Sequence, residues 1–167
     1  MKTIVKVIDS ISEYSGRVVS WACIILFVEV CYDVIARYVF NAPTMWSYET
    51  SCMLGITIAT LGWAYTHKHH GHIRVDLFYE PMSPRNKAIV DIVCGLTFFP
   101  AFILLAYFAA LHMLSAWSMD EVLSDTFWYP PAGPIKTVVF LGMCLFILQG
   151  LAQFIRDLYL VIRSRPL

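Results

Sequence analysis

Charge is what this sequence has least of. Asp, Glu, Lys and Arg make up 14% of its 167 residues, against about 25% in soluble domains, and they balance to a net charge of zero. A mean hydropathy of +0.65 with 59% hydrophobic residues excludes an ordinary soluble domain and implies an integral membrane protein. No glycine-rich loop of the form G-x-x-x-x-G-K-S/T is present, so the chain has no site of its own for nucleotide hydrolysis. Paired cysteines are missing too. Cys23, Cys31, Cys52, Cys94 and Cys144 are odd in number, form no C-x-x-C and all fall in apolar runs, which excludes a disulfide-forming membrane oxidoreductase and reads them as small apolar packing residues.

Histidine is present but without the company that catalysis or metal binding needs. "HKHHGH" places His67, His69, His70 and His72 together, yet with no H-E-x-x-H and no accompanying carboxylate, so a partly basic solvated loop is the reading. His112 is the one histidine well inside an apolar run, too few for a haem held by paired histidines. No enzymatic activity, cofactor or metal is expected, and no nucleic acid among the partners.

The apolar runs set the architecture. Four of them, at about 18–40, 45–66, 88–115 and 135–159, reach the roughly 20 residues that cross a bilayer as helix. The expected fold is therefore an all-α membrane protein of four transmembrane helices, with residues 1–167 forming one domain and short amphipathic segments at the interface. The stretch "MKTIVKVIDSISEYSGR" carries Asp9 and Glu13 and no small-residue cleavage pattern, so it is expected to be retained. Its Ile4, Val7, Ile8 and Ile11 recur at helical spacing, predicting a short helix along the membrane surface, with Ser10 and Glu13 as a capping box for the next helix. At the other end of the second loop, "SPRNK" predicts a helix start with Pro84 in the first turn.

Lys2, Lys6, Arg17, Lys68, Arg74, Arg85, Lys87, Arg156, Arg163 and Arg165 fall on one side of the four spans, and only Arg37 and Lys136 near the other. The positive-inside rule then places both termini and the middle loop in the cytoplasm. Trp21, Trp46, Trp63, Trp117 and Trp128 all fall at predicted span ends, as an interfacial aromatic belt would have them.

"VEVCYDVIARYVFN" breaks the first apolar run with Glu29, Asp33 and Arg37. Their i, i+4, i+8 spacing stacks them on one helix face. A charge at the centre of a lipid-exposed helix costs about 2.5–3.5 kcal/mol on insertion scales, so this face should meet protein or water. Asp33 can pair with Arg37. Glu49, level with Arg37 across an antiparallel neighbour, is the predicted partner from the second span, and His112 and Lys136 could join the same layer. Two functions fit such a stripe: a proton- or cation-handling pathway, as in small four-helix exporters with an essential Glu in the first helix, here Glu29; or a scaffold in which the charges fix how helices and subunits pack. The ten-to-two loop bias fixes a single orientation, unlike the balanced loops of the smallest exporters, and neither internal repeats nor broken helices are evident.

"RYVFNAPTMWSYE" (Arg37 to Glu49) and "GHIRVDLFYEPMSPR" (Gly71 to Arg85), with the late "FWYPPAGP", resemble the small membrane subunit of tripartite ATP-independent periplasmic (TRAP) transporters, the DctQ-like family. The resemblance covers nearly the whole chain. Where that family more often has two adjacent acidic residues after Trp-Ser or Trp-Thr, here Tyr48 takes the first place and Glu49 keeps the second.

The resemblance implies a division of labour. A periplasmic substrate-binding protein captures an organic anion, usually a carboxylate; a large membrane subunit carries the substrate and sodium sites and moves as an elevator; and this chain braces it in the bacterial inner membrane. Glu29, Asp33, Arg37, Trp46, Glu49, Gly71, His72, Arg74 and Asp76 are the expected structural or partner-interface residues. In "GHIRVDLF", Gly71 can turn the chain, Arg74 and Asp76 can face lipid head groups or each other, and the apolar residues between them can anchor in membrane lipid. Asp120, Glu121 and Asp125 form an acidic outer loop, either plainly solvated or complementary to the capture protein.

Overall fold

The computed structural model describes residues 2–69, 71, 79 and 81–163. Among them are four helices: α1 (Lys2–Tyr38), α2 (Ser47–Lys68), α3 (Pro84–Ser118) and α4 (Gly133–Arg163). They alternate in direction. The main contacts join α1 to α2, α2 to α4 and α4 to α3, with a smaller contact of α1 on α4, so α2 and α4 occupy the middle. The all-α expectation holds. Val5–Tyr38, Arg85–Ser118 and Gly133–Ile162 are long and apolar enough to cross a membrane. α2 does not reach that apolarity, because Ser51, Thr57, Thr60 and Thr66 dilute its aliphatic residues.

The interior is lined by small and polar side chains, and the large apolar ones lie outside. On α1 the buried positions Ser15, Ala22, Glu29 and Ala36 recur every seven residues, as do Ile135, Gly142 and Gln149 on α4, the repeat of a seam between closely packed helices. Phe27, Ile25, Leu104, Tyr107 and Phe108 are exposed. Small residues let helix backbones approach closely where lipid offers no hydrophobic drive for association. At Gly142 a Cβ would stand 2.8 Å from the backbone of Thr60, and at Gly16 one would stand 2.3 Å from the Tyr65 ring. These two glycines set the α4–α2 and α1–α2 spacings.

Three expectations change here. The separate surface helix does not exist: α1 runs unbroken through residues 2–38, about 55 Å at 1.5 Å per residue. Nothing between Lys2 and the start of the predicted span breaks the helix, since this region holds no proline and its one glycine, Gly16, is consumed by the Tyr65 contact. Without a break there are no free N–H groups to cap, so the capping box is absent too. Ser10 Oγ instead donates to the Lys6 carbonyl at 2.9 Å, and Glu13 turns to α2. Third, the cysteines are not packing residues of the interior: Cys23, Cys31, Cys52 and Cys94 are exposed on the helix surfaces and Cys144 is half-buried. Trp21 lies near the middle of α1, a helix longer than the hydrocarbon core of about 30 Å. The expected start of the third helix is found, with Ser83 as its cap, accepting from the Asn86 N–H at 3.4 Å, and Pro84 in the first turn.

The α3–α4 connection is well tied. Asp120 takes a left-handed φ of 47° past the end of α3, and the Glu121 N–H closes back on the Ala116 carbonyl at 3.0 Å. The Leu123 N–H bonds the Pro130 carbonyl and the Ala132 N–H bonds the Glu121 carbonyl, each at 2.8 Å, making an isolated antiparallel bridge between Val122 and Pro131.

Candidate functional site

The polar stripe of α1 is assembled into two knots at the end of the molecule where α1 stops and α2 begins. Glu29, 8% exposed, accepts hydrogen bonds from Ser47 Oγ at 2.8 Å and Ser51 Oγ at 2.9 Å. Ser47 and Ser51 are one turn apart on α2, so both hydroxyls meet the one carboxylate. Asp33 accepts from the hydroxyl and the N–H of Thr44 in the α1–α2 connection, and pairs with Arg37 at 2.8 Å. Trp46 stacks on Tyr32 of α1 with ring centres 6.0 Å apart. "TMWS" thus holds the α1–α2 turn to α1 through a hydroxyl, an indole and a second hydroxyl.

Glu49 has a different task. It is 1% exposed, and its Oε1 accepts both the N–H (2.8 Å) and the hydroxyl (2.7 Å) of Thr126, tying the α3–α4 connection onto the first turn of α2. Its Oε2 is buried without a hydrogen-bond partner among the described residues. The expected Arg37–Glu49 pair does not form. Arg37 lies on the exposed side of α1 with half its side chain in the open, whereas Glu49 points into the bundle, because residues 47 and 51 already take the α1 side of α2. The wider layer does not form either: Lys136 pairs with Glu121 at 2.5 Å, and His112 is exposed on α3.

At the opposite end stands a polar cluster that the sequence reading missed. Gln149 of α4 is fully buried, accepts from Ser12 Oγ at 2.7 Å and donates to Asp9 at 3.1 Å. Arg156 also bonds Asp9. Lys68 donates to Glu13 at 2.6 Å and to the Asp9 carbonyl at 3.2 Å, and His69 lies 3.2 Å from Glu13. The signal was available: Gln149 is an isolated amide in an apolar run, and such residues in membrane helices hydrogen-bond across to a neighbour.

Of the remaining expected residues, Gly71 is exposed and its N–H bonds the Thr66 carbonyl at 2.8 Å, while His72, Arg74 and Asp76 lie outside the described residues. His67 sits among rings, 5.4 Å from that of Phe146. Among the described residues no group of three or more His, Cys, Asp or Glu side chains is placed to hold a metal ion. Chemically, the knots can fix helices in place. Glu29 is enclosed by two serines, and four unbroken helices leave no unwound backbone around a midplane site.

A family model described as "Tripartite ATP-independent periplasmic transporters, DctQ component" matches residues 26–159. No curated protein matches the chain.

Proposed function

Because this chain belongs to the DctQ component family of the tripartite ATP-independent periplasmic transporters, we propose that it is the small permease subunit that braces a large elevator-type membrane subunit during uptake of an organic anion. The observation that carries this reading is the inversion of its packing. Charged and polar side chains inside are tied to one another, and broad apolar faces of α1 and α3 look outward. A transport pathway needs groups that release and rebind an ion, whereas a brace needs fixed helices and apolar outer faces for lipid and a partner subunit.

In this reading α2 is the fourth span. Its 22 residues extend about 33 Å, enough for a hydrocarbon core of about 30 Å, and its buried Thr60 lies against Gly142 of α4 in place of lipid. The Lys and Arg distribution supports cytoplasmic termini and a bacterial inner membrane location. The partners are the large membrane subunit and a periplasmic substrate-binding protein that delivers a carboxylate, with a sodium gradient as the energy source. The self-sufficient exporter built on Glu29 is disfavoured by the two hydroxyls that already hold that carboxylate.

The test is reconstitution. In liposomes with an inward sodium gradient, the large subunit, the binding protein and this chain together should take up a carboxylate, and omission of this chain should abolish uptake. Uptake or proton-coupled efflux by this chain alone would overturn the proposal.

A further inference from the structure

Two shallow hollows adjoin on the outer face of the first half of α1. They share Ser10 and Tyr14; Lys6 lines one, of about 410 Å³, and Arg17 lines the other, of about 340 Å³. We propose that together they seat the head group of an anionic phospholipid of the phosphatidylglycerol type, with the Arg17 guanidinium on its phosphate.

The first argument is a cation without a partner. Glu13 and Arg17 are one helical turn apart in the order that favours an ion pair, yet Glu13 turns to the end of α2, where Lys68 donates to it at 2.6 Å and His69 stands at 3.2 Å. Asp9, the other carboxylate in the hollow, takes Arg156 and the Gln149 amide. Both acids are therefore matched. Lys6 and Arg17 are exposed and form no hydrogen bond or ion pair through their side chains among the described residues. Arg17 stands about 6 Å further along α1 than Glu13, toward the apolar part of a helix that is long enough to cross a membrane. A cation on the outer face at that depth is costly unless it reaches the interface and finds an anion there. The chain supplies none. A lipid phosphate does, and the planar guanidinium can take two of its oxygens at once.

The second argument is the order of side chains along this face. Lys6, Ser10, Tyr14, Arg17, Trp21 and Ile24 follow one another at three or four residues, so they form one exposed stripe. It runs from charge and hydroxyl through amphipathic rings to aliphatic surface, the order in which a phospholipid presents head group, glycerol and acyl chain. Ser10 Oγ already donates to the Lys6 carbonyl at 2.9 Å, which leaves its oxygen to accept from a head-group hydroxyl. Net charge selects the class of lipid. With both acids matched, the stripe keeps two positive charges, and such surfaces attract anionic over zwitterionic lipid. The proposal needs α1 to lie in a membrane and does not rest on any role beside a larger subunit.

The chain is tested alone, so failure here is distinct from failure of the transport reading. In nanodiscs of equimolar phosphatidylglycerol and phosphatidylethanolamine, native mass spectrometry of the full chain should show phosphatidylglycerol retained at least fivefold over phosphatidylethanolamine. Arg17→Gln should cut phosphatidylglycerol retention at least threefold at unchanged helix content. Arg85→Gln, which removes an exposed cation at the start of α3, should leave it unchanged. Equal retention of the two lipids, retention unaffected by Arg17→Gln, or an equal loss from both variants overturns the proposal, the last by showing attraction to overall charge and no site. Should Arg17→Gln fail to fold, Lys6→Gln is read in its place with an expected loss of at least twofold, and no loss overturns the proposal.

Discussion

Removing the Glu49 carboxylate leaves the N–H and the hydroxyl of the half-buried Thr126 without their acceptor, and an unsatisfied buried group costs about 1–3 kcal/mol. Glu49→Ala is therefore expected to destabilise the folded chain by about that much in a detergent unfolding series, and to free the α3–α4 connection for proteolysis. Glu49→Gln keeps the accepting oxygen and replaces the partnerless Oε2, so it should stay close to the parent. Arg37→Ala should shift unfolding far less than Glu49→Ala, since its partnership with Asp33 lies at the surface and surface pairs contribute little. A loss as large for Arg37→Ala as for Glu49→Ala would mean that the two side chains share one knot after all.

Helices pack here through what is missing from their seams. Gly142 against the Thr60 backbone is the tightest approach of α4 to α2, and a methyl group there has no flexible side chain to push aside. Gly142→Ala should cost about 1–3 kcal/mol by overpacking, whereas Gly55→Ala, which meets nothing within 4 Å, should be neutral or stabilising through helix propensity. Thermal unfolding of both variants in one detergent checks the pair. Another inter-helix fastening is the Gln149 amide, which holds Ser12 and Asp9 of α1 to α4. Gln149→Leu should loosen the first half of α1, seen as faster hydrogen exchange over residues 5–16 with the second half of α1 unchanged.

Considered as a whole, the described molecule buries Glu29 and Glu49 and shows aliphatic and aromatic side chains on the outer sides of α1 and α3, the faces that the proposed brace would offer to lipid and to a partner subunit. A polar stripe on α1 would suit a docking face if it looked outward, but Glu29 lies beneath α2. In a cysteine-free background, Phe27→Cys or Leu104→Cys should cross-link to the large subunit in the assembled transporter, and Glu29→Cys should not. Cross-links from position 29 alone would show that α2 leaves α1 on assembly.

Length and apolar runs alone determined that the chain is helical and that its helices end where they do to within a few residues beyond the first, because helix formation in an apolar medium depends on local composition, while the resemblance to its family was carried by local motifs such as "RYVFNAPTMWSYE". The join of "MKTIVKVIDSISEYSGR" to the first span also depends on local sequence, but it was misread by the rule for amphipathic surface helices. That rule takes the apolar side as the buried one. In α1 the buried side is Ser12, Ser15, Ala22 and Glu29, because small and hydrogen-bonding residues make the contacts between helices and large apolar ones face outward. Which acid meets which partner was left to tertiary structure. Glu49 lies level with Glu29, since Ser47 and Ser51 on either side of it both reach that carboxylate, and Arg37 stands about 12 Å further along α1; opposite faces of α2 carry Ser47 and Glu49, and the rotation of α2 sends one to Glu29 and the other to Thr126. Both the level of one helix against the next and its rotation are settled only when neighbouring helices pack, because the connection between them fixes neither.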